Sequence, residues 1–253
     1  MSNISFDKLK SYTDKISHFY GTEDLSIHLY SWVKMLNPLV CVEFGTGLGV
    51  TSLWMGSALK ENSNGGILHT VDNGADWKGI QETLYLDAES SYNSYGEYIS
   101  SIFEEYDLNP FISFNLSSIE DFNTNVLPNF DRNSIDILFS DYKHGPVAIT
   151  KLFAEYLPYM SENSMIFIDS APTYYPSYSM LKDFIINLNS GKNLKSLISW
   201  SKYPDEVKEK ISSCRFELFN IYENKSTNQN STTCIRLSSN DIFPPTHLTI
   251  RGI

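Results

Sequence analysis

The sequence predicts an α/β fold: an open, mostly parallel, seven-stranded sheet with helices on both faces, closed by a C-terminal antiparallel hairpin. Three observations carry that prediction. Five short apolar runs alternate with segments of helical periodicity. The first run breaks into a glycine-rich turn, Gly45-Thr46-Gly47-Leu48-Gly49, that opens the next helix. The last third of the chain switches to period two on either side of a polar loop.

Each element has its own signal. Residues 5–37 read as helical, because Leu25, Leu29, Trp32, Val33 and Leu36 recur at spacings of three and four and Asn37-Pro38 is a stop. This N-terminal extension, residues 1–38, suits covering a site or forming a homodimer surface. The first strand is 39–44 and the helix after the glycines runs about 50–60, ending in the turn cluster 61–66. The second strand, Ile67–Val71, ends on Asp72. A second amphipathic helix, from Asp87 to Asp107, carries Tyr95, Tyr98, Ile99, Ile102 and Phe103. The third strand is 111–114, followed by a polar turn at Ser117-Ser118. The fourth, 135–140, ends on Asp141, and the next helix starts near Pro146, a residue favoured in a first turn, and runs to about Tyr159. The fifth strand, 165–168, ends on Asp169, with a helix over about 178–189 beyond it. Phe216–Tyr222 and Thr232–Leu237 then flank a polar loop as a hairpin. Residues 39–253 thus form one domain, with an irregular, substrate-selecting insertion at about 190–214.

Bulk properties narrow the function. A chain of 253 residues suits one large domain. Its formal charge of −11, with no basic cluster, argues against a nucleic-acid partner. Three cysteines, Cys41, Cys214 and Cys234, lack metal-binding spacing and lie at or within apolar runs, as buried reduced thiols do. No apolar stretch approaches the roughly 20 residues that span a bilayer, and the start is not that of a secretory leader. The expected setting is cytoplasmic, with no membrane partner.

The most informative stretch is 39–49, an apolar run that ends on Glu43 and turns through Gly45, Gly47 and Gly49. Glycine lets backbone turn sharply and approach a ligand closely. A dinucleotide-binding turn, G-x-G-x-x-G, needs glycine at position 50, where this chain has Val50. A P-loop is excluded because no Gly-Lys-Ser/Thr follows. In open parallel sheets, ligands bind beyond the carboxyl ends of the strands where strand order reverses. Four such ends here carry an acid: Glu43, Asp72, Asp141 and Asp169.

Taken together, Val42–Met55 (VEFGTGLGVTSLWM), Gly66–Asp72 (GILHTVD) and Ile135–Ser170 resemble the class I S-adenosylmethionine (SAM) dependent methyltransferases. They look most like the small-molecule O-methyltransferase branch with an Asp-x-x-His element after the fourth strand, here Asp141 to His144. The resemblance covers about residues 25–190. It implies a Rossmann-like class I fold, SAM as cofactor, and a small-molecule acceptor methylated on a hydroxyl, as in specialised metabolism.

It also implies roles. Asp72 would accept the vicinal ribose hydroxyls, with Asn73 beside it. Glu43 and Asp141 would face the charged amino-acid and sulfonium end. Ser118 and Ile119 would meet the adenine, and Gly45, Thr46, Gly47, Gly49 and Thr51 would complete the cofactor set. His144, where related enzymes carry a catalytic lysine, would be the general base, supported by Asp141; an ordinary imidazole pKa near 6.5 suits that task. The other reading of His144 is a cap for the helix at Pro146. Metal-dependent relatives hold Mg²⁺ with two aspartates and an asparagine. Asp141 and Asp169 match, but Ser170 replaces the asparagine and a hydroxyl is the weaker donor. Without a metal, Asp169 would orient His144 or bind substrate. Apart from the resemblance, Pro172 and Pro176 place Tyr174, Tyr175 and Tyr178 in a loop, where they line an acceptor pocket, with Trp77 and Tyr85 opposite, or else pack as core. Two rival functions stand beside this one: N-methylation of an amine or amino-acid-derived acceptor, and a non-catalytic SAM-fold binding protein.

Overall fold

The computed structural model describes residues 6–16, 23–84, 92–190, 205–223 and 230–239. In chain order its elements are α1 (Phe6–Ile16), α2 (Glu23–Leu36), β1 (Val40–Phe44), α3 (Val50–Asn62), β2 (Ile67–Asp72), α4 (Trp77–Leu84), α5 (Tyr95–Glu105) and β3 (Ile112–Leu116). They continue with α6 (Ile119–Asn125), β4 (Ile135–Ser140), α7 (Pro146–Tyr156), β5 (Met160–Asp169), α8 (Tyr175–Asn189), α9 (Asp205–Ser213), β6 (Cys214–Tyr222) and β7 (Ser231–Ser239). The seven strands form one sheet in the order β3-β2-β1-β4-β5-β7-β6. β1 to β5 pair in parallel, and β7 is antiparallel to both β5 and β6. This is the predicted Rossmann-like architecture. None of the described helices is long and apolar enough to cross a membrane.

Strand composition follows from burial on both faces. A parallel strand covered on both sides reads as a continuous apolar run rather than an alternating one. Cys41, Ile137, Phe139, Met165 and Phe167 point to a core shared with α1, α2, α3 and α5. Their neighbours Val42, Phe44, Leu138, Ile166 and Ile168 point to the opposite core, shared with α6, α7, α8 and α9. The central strands are therefore rigid, and their tips are fixed points for a site. Cys41, Cys214 and Cys234 are buried free thiols.

Several boundaries differ from the sequence reading. The helical prefix is described as α1 and α2, with residues 17–22 between them outside the described residues, and α1 packs across α3, with Trp54 Nε1 donating to Thr13 Oγ1 at 2.9 Å. Of the helix expected from Asp87 to Asp107, residues 87–91 lie outside the described residues, and the described part begins at Tyr95, where Ser94 caps it by accepting from the Glu97 amide at 3.2 Å. A Ser-x-x-Glu pair is a helix-start signal that apolar periodicity alone overlooks. Ser118 starts the unpredicted α6 in the same way, accepting from the Asp121 amide at 3.0 Å. β5 starts at Met160 rather than Met165, since its polar first half is held by pairing of Ile135 with Met160 and Ser164 with Leu237. Tyr85, the segment 191–204 of the insertion and the hairpin loop 224–229 lie outside the described residues.

Candidate active site

Strand order reverses at β1. The chain moves outward through β2 and β3, then crosses to β4 on the other side of β1. Two backbone hydrogen bonds tie the tips there: the Gly45 amide donates to the Val71 carbonyl at 3.0 Å and the Asp141 amide to the Phe44 carbonyl at 2.9 Å. The approach is so close that a Cβ on Gly45 would lie 2.4 Å from the Asp141 carbonyl oxygen, and Gly45 also has φ of +91°. Only glycine fits both constraints. At Gly47 the space around a would-be Cβ is open.

The turn is held from below by side chains. The Gly47 amide donates to Asp72 Oδ2 at 3.0 Å and the Gly74 amide to Asp72 Oδ1 at 2.8 Å. Each carboxylate oxygen can still accept a further hydrogen bond. The carbonyls of the turn are held too, Gly47 by the Tyr95 hydroxyl at 2.7 Å and Leu48 by the Tyr12 hydroxyl at 2.6 Å. Thr46 Oγ1 shares a 2.6 Å hydrogen bond with Thr70. A crevice of about 140 Å³ results, bringing together Gly45, Thr46, Gly47, Thr51, Asp72 and Asp141. Tyr95, Leu48, Gly74 and Asp76 line it as well, and sequence reasoning missed them.

Glu43 sits elsewhere. It is fully buried and accepts from the hydroxyls of Thr51 and Ser52, which locks the first turn of α3 to β1. It is absent from the crevice lining. Burial pushes its carboxyl from 4.5 up to about 7, against neighbouring hydroxyls that pull it down. The folded chain therefore retains a proton that the unfolded chain releases. The stability this gives is fully present below about pH 4.5 and is lost as pH rises to about 7, roughly 3 kcal/mol in all. We expect the melting temperature to fall between pH 5 and pH 8, and Glu43→Gln to flatten that fall in thermal melts.

Beside the crevice lies a larger cavity of about 680 Å³, bounded by Phe44 and Ser140 at the same strand tips and by Ile119, Tyr142 and His144. Ile119 thus faces a cavity, while Ser118 is occupied in capping α6 and donating to Asp121 Oδ2 at 2.7 Å. Nothing in the sequence pattern separates Tyr142 from an ordinary loop tyrosine, and its place became visible only in three dimensions. Gly49 caps α3, with Ile99 and Phe103 3.6 Å from where its Cβ would be. Asn73 accepts from the Ala75 amide at 2.9 Å and is exposed. Trp77 packs on Tyr95 and Tyr98, with ring centroids 5.8 and 5.2 Å apart. Tyr174 and Tyr175 are 48% and 71% exposed at the start of α8, and the lining of the larger cavity includes neither them nor Tyr178.

Asp141, His144 and Asp169 converge. His144 Nδ1 lies 3.0 Å from the Asp169 carbonyl oxygen. A carbonyl can only accept, so Nδ1 carries a proton, and in the neutral ring the lone pair is on Nε2. Nε2 is 3.9 Å from Asp141 Oδ1. Burial, and then the charge of Asp169, raises the Asp141 carboxyl; burial likewise raises Asp169, opposed by the Ser170 and Thr232 hydroxyls and by His144. Ser170 Oγ donates to Asp169 Oδ2 at 2.7 Å, and Thr232 Oγ1 to Asp169 Oδ1 at 3.2 Å. Ser170 therefore orients Asp169. The donor atoms of Asp141, His144 and Asp169 lie within 4.8 Å of one another, so two oxygens and one nitrogen fit a divalent cation among the described residues.

A glycine turn and acidic strand tips at the reversal point of this sheet define the SAM-dependent methyltransferase class. The chain belongs to the methyltransferase-domain family, which matches residues 42–171, just over half of its length. It is similar in fold to the O-methyltransferase TomG of Streptomyces achromogenes, described as involved in tomaymycin synthesis and solved with SAM. That likeness has 14% identity, a TM-score of 0.57, and covers 94% of this chain and 93% of TomG. An O-methyltransferase of Bacillus cereus solved with SAH is 12% identical with a TM-score of 0.56, over 91% and 88% of the two chains. The SAH-bound methyltransferase PaMTH1 of Podospora anserina is 11% identical with a TM-score of 0.53, over 94% and 90%. Among curated proteins, none matches this sequence.

Proposed function

We propose that this methyltransferase moves the methyl group of SAM to a hydroxyl of a small molecule in cytoplasmic specialised metabolism, with His144 as general base. The observation that carries this reading is the fixed imidazole: Nδ1–H is tied to the Asp169 carbonyl, and Nε2 is left open beside Asp141 at the cavity edge. SAM supplies an electrophilic methyl on a positively charged sulfur. Asp72, held by the Gly47 and Gly74 amides, receives the ribose hydroxyls, and the apolar walls at Ile119 and Tyr142 receive the base. Asp141 lines the glycine crevice, between Ser140 and Tyr142 of the larger cavity, and sets its carboxyl near the sulfonium. His144 Nε2 takes the acceptor proton as the oxygen attacks, and the carboxylates of Asp141 and Asp169 stabilise the imidazolium that forms.

A divalent cation held by Asp141, His144 and Asp169 would polarise the acceptor hydroxyl instead. Nε2 cannot serve as ligand and base at once, so the two arrangements are exclusive. Treatment with EDTA separates them. With His144 as base, turnover is expected to stay within about twofold of the untreated enzyme; loss of turnover that Mn²⁺ or Mg²⁺ restores would overturn that role. The function itself is tested by screening phenolic and alcoholic acceptors with methyl-labelled SAM. SAM at 100 times its Kd should also stabilise the fold by about 2.7 kcal/mol, and no shift would sink the cofactor assignment.

A further inference from the structure

We infer that the hollow between α1 and α5 is a second small-molecule site, that it takes an aromatic carboxylate, and that its occupancy is coupled to the glycine turn. The hollow is about 410 Å³ and shares no lining residue with the glycine crevice or the His144 cavity. Four phenol rings, Tyr12, Tyr92, Tyr98 and Tyr106, form its walls. Tyr92 meets Tyr98 edge-on at 5.2 Å between centroids, and Tyr12 meets Tyr106 edge-on at 6.1 Å. Such walls offer faces and edges to a flat ring.

The charged residues of the lining are Lys8, Lys15 and one acid, Glu105, a net positive balance in a chain whose net charge is −11. Lys8 is committed: it ion-pairs with Glu105 Oε1 at 3.6 Å, donates to the Glu105 carbonyl at 3.0 Å, and lies 4.2 Å over the Tyr106 ring. Lys15, about two turns further along α1, lines the hollow and makes no ion pair among the described residues. A ligand with its ring among the tyrosines and an anionic end at Lys15 satisfies both halves of the lining. A neutral aromatic satisfies only one.

The link to the cofactor turn runs through a single side chain. Tyr12 is a wall of the hollow, yet its hydroxyl donates to the Leu48 carbonyl between Gly47 and Gly49, and it shares a 3.0 Å hydrogen bond with the Tyr98 hydroxyl. Whatever fixes Tyr12 biases the turn. The coupling is reciprocal, so SAM and the second ligand must change each other's affinity by the same factor.

The coupling rests on the glycine crevice being the SAM site; the second site itself does not. Cinnamate serves as the probe, with cinnamyl alcohol as its neutral counterpart, both titrated calorimetrically into the full chain. We expect cinnamate to bind with Kd below 1 mM (about −4.1 kcal/mol), at least tenfold tighter than the alcohol. Lys15→Glu, at an exposed position, should weaken cinnamate at least tenfold while leaving SAM affinity in its absence unchanged. Asp141→Asn should leave cinnamate binding unchanged, which separates this hollow from the acceptor site. Saturating cinnamate should shift the Kd of SAM at least threefold, and Tyr12→Phe should remove that shift. Cinnamate binding that is absent, unaffected by Lys15→Glu, or weakened by Asp141→Asn overturns the site. An unchanged SAM affinity overturns the coupling. Failure of SAM to bind at all overturns the methyltransferase reading and leaves the Lys15 arm standing.

Discussion

Gly45→Ala is expected to lose the fold around the site, not merely the ligand. The added methyl would sit 2.4 Å from the Asp141 carbonyl oxygen. That oxygen is backbone, and the Asp141 amide is already tied to Phe44, so no flexible side chain can move aside. Alanine must also adopt φ near +91°, a conformation L residues rarely tolerate. Clash and strain together should cost about 3 kcal/mol or more. In a chain of this size each 1 kcal/mol moves the melting temperature by about 2–4 °C, so a fall of roughly 6–12 °C is expected. Gly47 provides the contrast. Its φ is +52°, within the small left-handed region, and a Cβ there meets nothing within 4 Å. Gly47→Arg should therefore melt within a few degrees of the parent while filling the crevice and abolishing stabilisation by SAM. A Gly45→Ala protein that melts normally, or a Gly47→Arg protein that still responds to SAM, would show that the turn has been misread.

His144→Ala should lower kcat by about 10²–10⁴, the usual range for a lost general base. SAM affinity should stay within a few-fold, because His144 does not line the glycine crevice. An amine acceptor leads to a different outcome. Burial, with Asp24 and Asp169 adding their charge, lifts the Glu223 carboxyl to about 8, so the surroundings of Asp169 are acidic and would attract a cation. Nitrogen needs less help from a base, and most of the activity would survive His144→Ala.

The fold was legible because strand burial leaves a direct trace. β4 is apolar at Ile135, Ile137, Leu138 and Phe139, which face both cores, and a run this short between polar turns is of strand rather than helix length. The hairpin was legible from its period two, although only β6 has unlike faces at its start, with Cys214 and Phe216 buried and Arg215 exposed, while β7 is buried on both faces. The sequence reading also missed α4 and, within the insertion expected to be irregular, α9 (Asp205–Ser213); two other misses were short and capped. α6 and the start of α5 depend on Ser118 and Ser94 accepting amide hydrogens, a local signal that hydrophobic spacing does not contain. The first half of β5 is polar and was invisible, because pairing with β4 and β7, not apolar character, makes it a strand.

The sequence by itself determined the parts of the site that belong to single strand tips: the glycine turn and the acids Asp72, Asp141 and Asp169. These follow from chain order, because a parallel sheet delivers every strand's carboxyl end to the same edge. The tertiary structure decided what depends on distance between tips. It turned Glu43 inward to Thr51 and Ser52, set Ser170 behind Asp169, and left Tyr174 and Tyr175 exposed. It also brought Tyr95 and Tyr12, 48 and 36 residues away from their partners, onto the carbonyls of the glycine turn. Side-chain direction at a strand tip is set by what packs around it, and that packing comes from segments far away in the chain.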